Sequence, residues 1–211
     1  MSHVKVSHSK EPIRLFKSDF LEFFTHIHPV VVLIIWLPVV VGFLAFAIFS
    51  RPGGLSPLYI PAAFLVGLFV WTLAEYTLHR FLFHFRPRAP WQERISFLIH
   101  GVHHAQPMEK TRLVMPPVVS VPMALLFYGL FYLVLSVLLG VYLWVAPLFS
   151  GFIAGYLMYD MLHYSIHHLR LPVRAWQFLR QHHIRHHAQP NMRFGVSSPL
   201  WDIVFGTMPA S

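Results

Sequence analysis

The sequence predicts an all-α integral membrane protein with four transmembrane helices in two hairpins and a histidine-rich helical cap on the cytoplasmic side. Three observations predict it. Of 211 residues, 56% are hydrophobic and only 11% charged, and the mean hydropathy of +0.57 exceeds what the core of a soluble domain of this length requires. Four apolar runs each reach the roughly 20 residues that a helix needs to cross a bilayer. The Lys and Arg residues fall almost entirely on one side of those runs, which sets their orientation.

The elements follow in order. Residues 1–28 form an N-terminal segment in which "IRLFKSDFLEFFTHIHP" places Leu15, Phe16, Phe20, Phe23 and Phe24 on a helical repeat, predicting a helix that lies in the interface. His26 and His28 at its end belong to no dense cluster and read as structural. Spans follow at about 29–49, 58–78, 116–138 and 141–161. "SRPGGLSP" turns the first hairpin, and Leu139 and Gly140 turn the second. The first span starts too late for a signal peptide and has no small-residue cleavage pattern, so it is a retained helix. Pro38 within it is tolerated in lipid. Residues 79–115 and 162–211 make the cap, and no internal repeat or low-complexity linker divides the chain, so one domain, 1–211, is expected.

Two hairpins return the chain to its starting side each time. Of sixteen Lys and Arg residues, only Arg51 lies in a loop on the opposite side, so the positive-inside rule puts the cap in the cytoplasm. A formal charge of +8 then matches an anionic leaflet, and no nucleic-acid partner is needed to explain it. The chain has no cysteine, so any metal must be held by histidine or carboxylate.

Twelve histidines gather in four clusters on that side: His79 and His84 in "HRFLFH", His100, His103 and His104 in "HGVHH", His163, His167 and His168 in "HYSIHH", and His182, His183, His186 and His187 in "QHHIRHH". Packing alone does not produce such a concentration. Residues at i, i+3 and i+4 share a helix face, so the two HxxHH motifs can each aim three imidazoles at one centre, and His163 with His167 form an i, i+4 pair. His79 and His84 differ by about 140° on an α-helix, so that pair either straddles a helix end or serves two metals. Two ions with four to six ligands each fit the count, and imidazole suits iron, zinc and copper alike. Glu75, one turn before His79, and Asp160, three residues before His163, are placed to accept the second ring N–H of a ligand. A shift of one residue would pair His182 with His186 instead, which leaves the register of the last cluster open.

The order HxxxxH, HxxHH, HxxxH(H), HxxHH resembles the fatty acid hydroxylase and sterol desaturase superfamily of membrane metalloenzymes. Within it, "EYTLHRFLFH", "HGVHHAQPMEKTRLVMPP" and "FGVSSPLWDIVFGT" are most similar to the fatty acid 2-hydroxylases. The resemblance implies metal ligation by His79, His84, His100, His103, His104, His163, His167, His183, His186 and His187, leaving His168 and His182 outside the set. It implies two iron ions, with zinc able to occupy the same site in purified protein, and O2-dependent hydroxylation of a lipid acyl chain at C2. The resemblance also marks a departure: these 211 residues are expected to hold no counterpart of the haem domain of eukaryotic relatives, and no haem or flavin of their own. Electrons are therefore expected from a separate donor, a ferredoxin or b5-type cytochrome with its reductase. Oxidation of a sterol, carotenoid or other lipid by the same superfamily is the alternative, and a metal transporter is the alternative of a different class. Transporters place their ligands near the bilayer midplane, and these spans are nearly free of polar ligands.

Overall fold

The computed structural model describes residues 6–7 and 11–209. Residues 1–5, 8–10, 210 and 211, and with them part of the expected N-terminal segment 1–28, lie outside the described residues. Helix α1 is Asp19–Phe23 and α2 is Pro29–Phe49; α3, Tyr59–Thr77, runs on into a π-helical turn, Leu78–Phe83. Helix α4, Pro90–Ser96, passes through a second π turn, Phe97–Gly101, into α5, Val102–Ala105. Helix α6, Pro117–Phe131, continues as the π-helical Tyr132–Leu138; α7 is Val145–His168, α8 Arg174–Ala188 and α9 Leu200–Val204. No strand occurs among the described residues.

Among the described residues, four helical stretches are long and apolar enough to cross a membrane: Pro29–Phe49, Tyr59–Phe83, Pro117–Leu138 and Tyr142–His168. The second and fourth run further than the apolar runs suggest, because histidine-bearing turns continue each helix after the hydrophobic pattern has ended. The turn at Leu139 and Gly140 forms as expected, with Gly140 in the left-handed region at φ +68°. Only a residue without a Cβ takes that conformation cheaply.

The chain forms two compact units, one of Pro29–Trp71 and Met115–Met158, the other of Met1–His28, Thr72–Val114 and Tyr159–Ser211. In the first, α2 and α6 expose Ile34, Leu37, Phe46, Leu125 and Leu126, an apolar surface of the kind lipid covers. Val145, Phe149, Phe152 and Tyr156 of α7 are buried. Helices α3 and α7 meet at glycines: a Cβ on Gly67 would stand 1.9 Å from the Leu148 carbonyl oxygen, and one on Gly151 1.9 Å from that of Phe64. Such close backbone approach is how helices associate where water supplies no hydrophobic drive. Two buried polar pairs cross this unit, Ser150 donating to the Val40 carbonyl at 2.8 Å and the Trp36 indole to Ser120 at 3.2 Å.

In the second unit the expected interfacial helix through Leu15, Phe16, Phe20, Phe23 and Phe24 forms only as the short α1. The amides of Leu15 and Phe16 donate to the Glu22 carboxylate at 2.9 and 2.8 Å, so the chain folds back before α1 instead of continuing its helix. Arg112 fixes this fold, binding Glu22 at 2.5 Å and the His26 ring at 2.9 Å. His26 also bonds Thr111 at 2.6 Å, a structural part of the kind its isolated position suggests.

Candidate metal centre

Four elements of the second unit carry the histidines: the π turn after α3 (His79, His84), the π turn and α5 (His100, His103, His104), the end of α7 (His163, His167) and α8 (His183, His186, His187). The ten side chains gather into two groups. His79, His84, His100, His104 and His186 form one, and His103, His163, His167, His183 and His187 the other, with one ring nitrogen per residue within 4.8 Å of the rest of its group.

Local geometry explains who joins whom. The His84 amide donates to the His79 carbonyl at 3.0 Å, an i to i+5 bond that widens the turn. The π turn brings residues five apart onto one side, so His79 and His84 share a group instead of serving two. The HxxHH motifs do not aim three rings at one centre. His100 with His104, and His183 with His187, stay together as i, i+4 pairs, while His103 and His186 each cross to the opposite group. Neighbours in sequence point about 100° apart around a helix, so His104 and His103, or His187 and His186, cannot converge on one ion.

In the second group the Nε2 atoms make a linked row, His163 to His103 at 2.9 Å, then His103 to His187, His187 to His183 and His183 to His167 at 3.0 Å each. A neutral imidazole nitrogen carries either a proton or a lone pair. Five such atoms form two separate donor–acceptor pairs, so protons cannot satisfy the four contacts of the row. A cation drawing on all five lone pairs satisfies every one. Two nitrogens about 2.1 Å from one ion and at right angles to it lie about 3.0 Å apart, which is the spacing seen here. The residues present therefore fit a metal ion.

The first group is braced from behind. His79 Nδ1 donates to the Phe194 carbonyl at 2.5 Å and His186 Nδ1 to that of Met192 at 2.7 Å, so both Nε2 atoms are bare lone pairs. His79 Nε2 lies 3.1 Å from His100 Nε2, and His186 Nε2 3.0 Å from His84 Nε2. Phe83 stacks on His100, and the buried Phe194 ring packs near His79, His84 and His186. Burial pushes the imidazoles of His84, His100, His103, His104, His183, His186 and His187 well below the ordinary histidine range, and neighbouring imidazoles push the same way. At neutral pH they are uncharged Lewis bases.

Glu75 enters by a different route from the one its spacing suggests. Its Oε1 accepts the amides of Val196 and Ser197 at 2.6 and 2.8 Å, and Oε2 bonds the Ser197 hydroxyl. It anchors the loop that offers the Phe194 carbonyl to His79. Asp160 is fully buried one turn before His163. His182 lies outside both groups and bonds Asp202 at 3.0 Å; His168 lies outside them with its ring 4.7 Å from that of Tyr164.

Asp202, which the spacing arguments miss, is the centre of the brace. Besides His182, it accepts the amides of Phe194 and Gly195 at 2.8 Å each and the Thr207 hydroxyl at 2.7 Å. Burial alone would raise its carboxyl, but the bonds from His182, Thr207, Gly195 and Phe194 outweigh that and hold it below the ordinary carboxylate range. The available signal was its place as the lone carboxylate after Asp160.

Four apolar helices and two buried all-imidazole groups define a multi-pass membrane protein equipped to hold metal ions. The chain belongs to the fatty acid hydroxylase family, whose model matches residues 64–207. It is 38% identical to the dihydroceramide fatty acyl 2-hydroxylase FAH1 of Arabidopsis thaliana over 96% of this chain and 83% of that protein. It is 42% identical to the ceramide very long chain fatty acid hydroxylase SCS7 of Saccharomyces cerevisiae over 90% of this chain and 48% of that one. The solved hydroxylase domain of full-length scs7p matches with a TM-score of 0.81 at 40% identity, covering 91% of this chain and 70% of that one.

Proposed function

We propose that this protein hydroxylates C2 of a lipid acyl chain, a free fatty acid or the acyl group of a sphingolipid. One oxygen atom of O2 enters the C–H bond and the other leaves as water, with two electrons and two protons supplied from outside. The observation that carries the reading is the pair of buried five-imidazole groups in a chain whose relatives are named for this reaction. His79, His84, His100, His104 and His186 would hold one metal ion, and His103, His163, His167, His183 and His187 a second; iron is the ion assigned. Bound there, such ions supply the redox chemistry that activates O2.

The protein's own part is positional. The Phe194 and Met192 carbonyls fix the tautomers of His79 and His186, and Asp202 and Glu75 hold the loop that presents Phe194. Phe83 and Phe194 place apolar rings against the imidazoles, which keeps bulk water from a reactive oxidant. An all-imidazole ligand set brings no negative charge, so ions held there would keep their full positive charge. The chain has no cysteine to bind an iron–sulfur cluster, and electrons come from a ferredoxin or b5-type cytochrome with its reductase.

Lipid mass spectrometry of cells expressing the protein with such a donor tests the reaction. Acyl chains should gain one oxygen, localised by fragmentation to C2, and purified protein given O2 and lipid without a donor should stop at or before one turnover. Product confined to hydroxysterols or hydroxycarotenoids would overturn the substrate.

The histidine-bearing unit is assigned to the cytoplasm from the cation asymmetry. Protease added to sealed, cytoplasm-side-out vesicles should cut near the exposed Arg88 and Arg174 and spare Arg51. Cleavage at Arg51 with protection of Arg174 would reverse the orientation.

A further inference from the structure

Beside the two histidine groups, and not part of either, the densest unassigned chemistry lies in the segment that follows α7. Between Asp160 and Asp202 the chain has no Asp or Glu, yet it carries Arg170, Arg174, Arg180, Arg185 and Arg193. Three of these, Arg170, Arg180 and Arg185, line a half-open cleft of about 540 Å³ together with Leu171, Trp176 and Ile184. None of the three has a carboxylate partner among the described residues, whose ion pairs involve Arg14, His26, Arg112 and His182 instead. Two N–H donors of the lining residues, Arg180 Nε and Trp176 Nε1, are buried with no hydrogen-bond partner. An orphaned buried donor costs free energy that a bound acceptor would recover. Three guanidiniums around one concavity repel one another, and an anion between them turns that repulsion into attraction.

The cleft's position and its second character narrow the ligand. The candidate span Tyr142–His168 ends two residues before Arg170. Exposed Leu169, Leu171 and Val173 then lie beside Arg170 and Arg174, apolar and basic side chains mixed at the end of a span. That pattern belongs at the headgroup level of a bilayer. Guanidinium forks match phosphate oxygens, while Trp176, Leu171 and Ile184 offer an apolar wall a free inorganic anion does not use. We propose that this cleft binds an anionic phospholipid, with its phosphate on Arg170, Arg180 and Arg185 and its glycerol and upper acyl carbons against Trp176, Leu171 and Ile184.

Native mass spectrometry of the full-length protein in neutral detergent tests this, with phosphatidylglycerol, phosphatidylcholine or inorganic phosphate added in separate arms. Phosphatidylglycerol should be retained about 10-fold better than phosphatidylcholine, whose choline would face the arginines. The combined variant Arg170→Gln, Arg180→Gln, Arg185→Gln should lose that preference, and Arg86→Gln, Arg88→Gln, Arg94→Gln, with equal charge removed, should keep it. Arg185→Gln alone, on the exposed side of α8, should lower it in a protein that folds normally. Displacement of the lipid by millimolar inorganic phosphate would keep the phosphate chemistry but overturn the lipid as its source. Equal retention of the two lipids, equal loss in both triple variants, or capture of an acidic peptide that the lipid cannot displace would overturn the proposal.

Discussion

The two histidine groups use the same number of imidazoles and are built in different ways. In the second, two regular α-helical i, i+4 pairs, His163 with His167 and His183 with His187, supply four of the five rings, and His103 completes the set. Its rings lean chiefly on one another; the Nδ1 atoms of His103 and His183, like that of His84 in the first group, find no hydrogen-bond partner among the described residues. The first group cannot be made this way. One of its pairs needs the π turn at Leu78–Phe83, and two of its rings are held by carbonyls of the loop after α8. Helix periodicity supplies four rings of one group, whereas the other depends on a loop tied down by Asp202 and Glu75. The groups are also interlocked, because each takes its fifth ring from a motif that mainly serves the other.

That interlock gives the largest expected effect. His103→Ala should lower activity by more than the about 10–100-fold typical of groups that only support ligands, and should cost about one ion per chain by elemental analysis. Although it belongs to "HGVHH", it should empty the second group. Adding His163→Ala to His103→Ala should therefore cost no further metal, while adding His79→Ala should remove the remaining ion. The opposite pattern would break the division of the ten residues.

Asp202→Asn separates the two designs at an intermediate level. It removes the charge that holds the Phe194 and Gly195 amides, so a fall of about 10–100-fold in activity is expected. The loss should be one-sided. Under a chelator, one of two ions should leave about 10-fold faster than in the native protein and the other at its native rate. Because the Asp202 carboxyl is held below the ordinary range, its contribution is complete above that range and lost only as pH falls through the lowered value. The difference between native and variant should be flat between pH 6 and pH 8, and a difference that varies across that interval would show that Asp202 is not the anion described here.

The sequence made the four spans legible because hydropathy over about 20 residues is a strong one-dimensional signal. It also made legible which residues form the histidine clusters, since the spacing shows directly in the chain. Two features were not legible. The π turn at Leu78–Phe83 follows from an i to i+5 hydrogen bond that no residue type announces, so the relation of His79 to His84 stayed open. The crossing of His103 and His186 depends on which helices pack together, and periodicity within one helix is silent on that. Glu75 illustrates the same limit. Its distance from His79 in sequence suggested a direct bond, but the partners it meets, Val196 and Ser197, lie more than a hundred residues away along the chain. The short α1 has a like cause, a carboxylate at Glu22 that captures amides a longer helix would have used.

The smallest expected effect tests the edge of the second group. His167 and His168 are adjacent on α7 and therefore point about 100° apart. His167 Nε2 meets His183 Nε2 at 3.0 Å inside the group, whereas His168 lies outside it against Tyr164. His167→Ala removes a lone pair from a set of five and should abolish product along with an ion. His168→Ala removes a partly exposed ring with no place in either group, so activity should stay within about 2-fold and stability within about 1 kcal/mol. Metal content measured on both variants separates the readings, because a supporting role for His168 would lower activity with both ions retained. Equal loss of metal from the two variants would mean that the end of α7 presents a different face to the ions, and that His163 and His167 are not the pair α7 contributes.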